Sequence, residues 1–114
     1  MEDVKFENNM LFIGNQKIIF NSNIYQVLCE NQKIFILLDI PPKKFLSYDD
    51  YHNVFCYDGS GKRIWQVGER NKGDDSVYTM ITLSNSQLYL NDFLGRRYKV
   101  NKDTGCICEV AITK

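Results

Sequence analysis

One histidine, one tryptophan, two prolines and no surplus of either charge are all that this chain offers several large functional classes. Its 14 Lys and Arg equal its 14 Asp and Glu. Nucleic-acid binders carry a basic excess because phosphate neutralisation supplies most of their non-specific affinity, so direct DNA or RNA binding is not expected. No window approaches the ~18 consecutive apolar residues of a membrane span. The N-terminal MEDVKFENNMLFIG has acids where a secretory signal needs positive charge, and its apolar run is short and interrupted. The expectation is a cytoplasmic protein with no membrane partner. In that compartment Cys29, Cys56, Cys106 and Cys108 are expected as reduced thiols serving as small strand hydrophobes.

What is present is apolar and aromatic material, 44% and 13% of 114 residues, enough to fill a core without disulfide or metal staples. No interior stretch reads as a linker, so residues 1–114 form a single domain. Short β-rich runs alternate with turn residues: VKFE, MLFIG, KIIFN, IYQVLCE, KIFILLDI, NVFCY, KRIWQV, SVYTMITL, QLYLND, RRYKV and CICEVAIT. Runs of this length bounded by Gly, Asn, Asp and Ser are the signal of hairpins in series. Their connections are too short for parallel crossovers. The fold class is therefore all-β, an antiparallel meander of about eleven short strands forming a β-sandwich or a partly open barrel.

Period-two alternation assigns faces. KIFILLDI is apolar nearly throughout and reads as a central strand covered on both sides. In QLYLND, Leu88 and Leu90 share a face. In VYTMITL, Val77, Thr79, Ile81 and Leu83 share one face and Tyr78, Met80 and Thr82 the other. Pro41-Pro42 ends the central strand, since proline cannot donate to a ladder. That makes 41–52 an exposed excursion, with a helical turn in KKFLSYDDYH. Arg96-Arg97 and Lys62-Arg63 read as exposed charges discouraging edge-to-edge association.

Catalytic and metal chemistry lack the residues they need. Cys106-x-Cys108 with His52-x-x-x-Cys56 holds the atoms of a Cys3His set but not its knuckle spacing, so no metal and no cofactor is expected. A Cys–His nucleophile requires an orienting third group that no spacing supplies. His52 reads as a half-exposed residue at a loop-to-strand junction. Asp49 and Asp50 are adjacent and point apart in extended chain, unlike an acid/base couple. Gly59-Ser60-Gly61 opens no helix and is accounted for by a hairpin turn. The chain is not expected to be an enzyme.

Two interruptions of the meander stand out. Tyr48, Asp49, Asp50 and Tyr51 combine acids with aromatics in the first. Glu69, Asp74 and Asp75 lie in the second, GERNKGDD. Binding residues concentrate on loops held by a rigid scaffold, so these seven are the candidate partner-binding residues.

NVFCYDGSGKRIWQV reads as a strand, an Asp-Gly turn and a strand carrying Trp65, and SQLYLNDFLGRRYKVNKDTGCI as a strand, an Asp-x-x-Gly turn, a strand, then Asp-Thr-Gly and another strand. Over residues 53–107 this resembles the blade grammar of quinoprotein-like β-propeller repeats, although eleven strands are too few for a closed ring. The meander NIYQVLCENQKIFILLDI…NVFCYDGSGKRIWQV with its acidic, aromatic loops also resembles small immunity proteins of bacterial contact-dependent inhibition and polymorphic toxin systems. That resemblance implies a cognate toxin as partner, a nuclease such as an RNase, neutralised by occlusion of its active site without catalysis. The propeller resemblance implies instead a scaffold module that binds a peptide or protein subunit through an exposed edge.

Overall fold

The computed structural model describes residues 3–71 and 73–112, the last four for their backbone path only; Lys72 of the second long loop lies outside the described residues. Eleven strands among the described residues form three separate antiparallel meanders in chain order. The first sheet holds β1 (Val4–Glu7), β2 (Met10–Ile13) and β3 (Gln16–Ile19). The second holds β4 (Ile24–Glu30), β5 (Lys33–Leu38), β6 (Val54–Asp58) and β7 (Arg63–Gln66). The third holds β8 (Tyr78–Ser84), β9 (Gln87–Asp92), β10 (Arg96–Val100) and β11 (Ile107–Ile112). A single helical turn, α1 (Tyr48–Tyr51), sits in the first excursion. The sheets are open, so of the two expected architectures the sandwich-like one is realised.

The three sheets stack, and the alternation of β5 explains the order of the layers. Ile34, Ile36 and Leu38 face the first sheet and pack with Leu11, Ile13 and Phe20. Phe35 and Leu37 face the third sheet and pack with Ile81, Leu88, Leu90 and Val100. On β6, Phe55 and Tyr57 go one way and Val54 and Cys56 the other. A strand covered on both faces reads as a continuous apolar run, as Ile34–Leu38 of β5 does. Each fully buried side chain of this size contributes about 1.5–3 kcal/mol of hydrophobic stabilisation.

Turn chemistry sets the registers. Asn31-Gln32 and Asn85-Ser86 are two-residue hairpin turns with positive φ at both positions (47° and 68°, 50° and 60°). The Asp-x-x-Gly turns at 58–61 and 92–95 share one construction. Asp58 Oδ1 accepts from the backbone N–H of Ser60 (2.9 Å) and Lys62 (3.0 Å). Asp92 Oδ1 accepts likewise from Leu94 (3.0 Å) and Arg96 (2.9 Å). Gly61 (φ 89°) and Gly95 (φ 84°) each return an N–H to the Asp carbonyl at 3.1 Å. The repeat seen in the sequence is therefore a repeat of geometry.

Three strand-level expectations are corrected. The register of β8 shifts between Tyr78 and Met80, so Tyr78 and Ile81 both face the core while Thr79 and Met80 are exposed. β10 lies between β9 and β11, so Arg96 and Arg97 guard no edge. Arg97 instead stacks on Tyr89 at 4.0 Å. Only Cys56 is a core thiol, its pKa pushed up to about 11 chiefly by burial, whereas Cys29, Cys106 and Cys108 are exposed.

Between the second and third sheets, two side-chain amides stand in for a missing strand. Asn53 accepts from the Tyr78 N–H (3.0 Å) and donates to the carbonyls of Tyr78 and Leu38 (both 2.9 Å). Gln26 accepts from the Ile81 N–H (3.0 Å) and donates to its carbonyl (2.8 Å). The bulge presents both backbone units to these amides. Unpaired backbone groups of a buried strand edge are costly, and here they are satisfied without a ladder.

Candidate functional site

The two long interruptions converge on one another. After Leu38 the chain leaves the sheet through Pro41-Pro42 and returns through α1. Ser47 caps that turn: its Oγ accepts from the Asp50 N–H (3.3 Å), and its own N–H donates to Asp50 Oδ2 (2.9 Å). This reciprocal cap satisfies two of the otherwise orphaned donors of a helix start. Lys43 closes on the same carboxylate at 3.0 Å. Burial works to raise the Asp50 pKa, but the Ser47 and Lys43 bonds outweigh it and hold it below the usual carboxylate range.

His52 then joins the excursion to the second loop. Its Nδ1 lies 2.8 Å from the Val67 carbonyl oxygen and its Nε2 2.7 Å from Asp74 Oδ2. Tyr48 stacks over the imidazole with centroids 4.0 Å apart. Gln66 donates to the His52 carbonyl (3.0 Å) and to Asp49 Oδ1 (3.1 Å). His52 is thus buried, at 1% exposure, not half exposed as the sequence suggested. Both of its ring nitrogens are engaged by the Val67 and Asp74 oxygens.

Beyond His52 the network continues inward. Asp74 Oδ1 receives Arg70 Nη1 at 3.3 Å. The buried Arg70 guanidinium lies 4.1 Å over the Tyr78 ring and 5.3 Å over Tyr98. Its Nε and Nη2 have no hydrogen-bond partner among the described residues, and the two ring faces supply the attraction instead. Asp92 Oδ2 accepts from Ser76 Oγ, Tyr98 OH (both 2.9 Å) and Arg96 Nε (2.8 Å). Arg96 also pairs with Asp75. Burial tends to raise Asp74 and Asp92, but these bonds prevail and both are held below the usual range. Burial pushes Tyr78 well above the usual phenol value.

The seven residues singled out in the sequence therefore divide. Tyr48, Asp49 and Glu69 are exposed, and Tyr51 is half-buried. Asp50 is a buried cap, Asp74 clamps His52 and Arg70, and Asp75, although exposed, is held by Arg96. Of the four Asp among them, Asp50, Asp74 and Asp75 are each paired with a cation within the chain. What the sequence reading missed is apolar. Ile40, Pro41, Pro42, Leu46 and Val77 line a groove of about 300 Å³ closed by Phe93 and Leu94, which are 76% and 57% exposed. Across the excursion lies a second, polar cleft of about 320 Å³, with Lys43, Ser47, Asp49 and Arg63 over an edge-packed aromatic floor of Phe20, Phe55 and Tyr57. Among the described residues no three His, Cys, Asp or Glu side chains converge as metal ligands, and no helix is long and apolar enough to cross a membrane.

The chain belongs to the family described as a domain of unknown function, DUF7957, whose model matches residues 1–112. No curated protein and no solved structure matches it.

Proposed function

We propose that this DUF7957 member is a stoichiometric protein inhibitor, an immunity protein that binds a cognate toxin domain, a nuclease, and covers its active site without catalysis. The observation that carries the reading is the tie between the two long connections, with His52 Nε2 2.7 Å from Asp74 Oδ2, beside exposed aromatic side chains. The two long connections are clamped together through His52 and Asp74 and present Phe45 and Tyr48 to solvent, and the 92–95 turn, which shares a groove with the first of them, presents Phe93 and Leu94. A presentation surface fixed before binding loses little entropy on association, and aromatic side chains dominate interface energies. Asp49 and Glu69 add exposed carboxylates that steer encounter with a basic nuclease cleft. The alternative of a scaffold that accepts an added strand would use an edge other than that of β8, where Gln26 and Asn53 already bond the backbone.

The test is co-expression with the toxin domain encoded immediately upstream of this gene. A 1:1 complex that has lost its nuclease activity, with cells protected, is the expected result. Independent migration of the two proteins with undiminished nuclease activity overturns the reading. Charge reversal at Asp49 and Glu69 is expected to slow association about ten-fold at low salt while leaving dissociation unchanged.

A further inference from the structure

Burial accounts for Cys56 and leaves a pair of cysteines unexplained. Cys106 and Cys108 are both exposed at the start of β11. The packing there is done by Ile107 between them, which lies against the cluster around Phe35 and Trp65. Cysteine is among the most buried residue types, so strand formation does not call for two solvent-facing thiols two residues apart.

The backbone at this point is irregular in a way that concerns the pair. Lys99 pairs with Glu109 and Val100 with Ile107, so Cys108 is left without a ladder partner, a β-bulge. In a regular strand two rises of ~3.3 Å set residues i and i+2 about 6.6 Å apart, near the far limit for a disulfide. A bulge bends the strand that carries it and closes that span. The Cys108 thiol reaches back to the Cys106 carbonyl oxygen at 3.8 Å. Cys106 is itself held in place: its N–H donates to Thr104 Oγ1 (3.2 Å), and its carbonyl accepts from the Asn101 N–H (2.9 Å).

We propose that Cys106 and Cys108 are a redox-active dithiol that closes to an intramolecular disulfide by exchange with a low-molecular-weight disulfide such as glutathione disulfide. The thiolate of one cysteine attacks a sulfur of glutathione disulfide, expels a glutathione thiolate and leaves a mixed disulfide on the protein. The thiolate of the other cysteine then attacks the protein sulfur of that bond and expels the second glutathione. The two protein thiols lose two protons and two electrons, and one glutathione disulfide is reduced to two glutathiones. This site is independent of the inhibitor reading.

The test exposes the native chain and the variants C29S, C106S and C108S to glutathione buffers of graded oxidation, quenches by alkylation and maps the bonds by mass spectrometry. All three substitutions are at exposed positions and leave the core untouched. The native chain and C29S should each lose two hydrogens in a Cys106–Cys108 bond that dithiothreitol reverses. C106S and C108S should stop at a mixed disulfide on the remaining thiol of the pair. Cys29, exposed with no second cysteine two residues away, is the internal control and should go no further than a mixed disulfide. The folded chain should keep its bond at a glutathione ratio about ten-fold more reducing than the urea-unfolded chain does. No reaction at Cys106 and Cys108, or mixed disulfides alone in the native chain, overturns the proposal. So does a bond to Cys29 in place of the Cys106–Cys108 bond. Equal closure in the folded and unfolded chains overturns it as well, because the bulge then contributes nothing.

Discussion

At the scale of single residues, the molecule relies on a few polar side chains placed where backbone would otherwise go unpaired. Asn53 satisfies three backbone groups at once. Asn53→Ala leaves buried N–H and C=O groups without partners, and at about 1–3 kcal/mol per group it is expected to cost roughly 3 kcal/mol, read by urea denaturation. Gly105 is a second fixed point. It has φ 78°, and a Cβ there would lie 2.6 Å from the Trp65 ring, whose Nε1–H donates to the Lys102 carbonyl at 2.8 Å. Gly105→Ala combines a strained φ with overpacking and should lower stability by about 2–4 kcal/mol, with altered Trp65 fluorescence. None of this was legible in the sequence, because an Asn before a strand and a Gly in a turn look the same whether or not they hold a distant element.

The carboxylates make a further residue-scale prediction. Asp50, Asp74 and Asp92 are all held below their ordinary pKa of 3.8 by the bonds they accept. A group with a depressed folded pKa contributes stability that is complete above its unfolded value. That contribution is lost as pH falls through 3.8 toward the folded values. The denaturation midpoint should therefore fall steeply below about pH 4. D92N should flatten that dependence while lowering stability at neutral pH. An unchanged acid profile in D92N would show that Asp92 does not carry it.

At the scale of elements, the alternation of apolar and turn residues located all eleven strands and the helical turn, because hairpins in series are specified locally. It failed where a bulge broke the period, at Tyr78–Met80, since nothing in VYTMITL marks the extra residue. It also misplaced His52, whose burial depends on a loop sixteen or more residues later in the chain meeting it. The candidate site was legible as a pair of interruptions but not as one joined structure. Its acids were read as surface charge, whereas the partners that consume them lie elsewhere in sequence. The two-residue hairpins offer a clean element-level test. Gln32 and Ser86 hold φ of 68° and 60°, a region glycine enters without strain. Gln32→Gly and Ser86→Gly should each stabilise by about 0.5–1 kcal/mol in thermal melts, and a loss in either would contradict the assigned turn type.

At the scale of the whole molecule, three open sheets share one middle layer, and the relief that we assign to partner binding is fixed to that layer. β5 contributes to both hydrophobic clusters, and Gln26 and Asn53 tie the second sheet to the third. Truncating Phe35, which is fully buried, should cost about 3–5 kcal/mol and shift the single unfolding transition rather than split it. The proposed inhibitor role asks for a surface shaped before its target arrives, and the ties between these layers supply one. The measurement that bears most directly on the proposal is titration of the purified chain into the product of the gene immediately upstream, the candidate toxin under that proposal, with heat of binding and nuclease activity followed together. The account predicts saturation at one chain per toxin domain, with activity falling in step to zero. No heat and no loss of activity at a molar excess would contradict it.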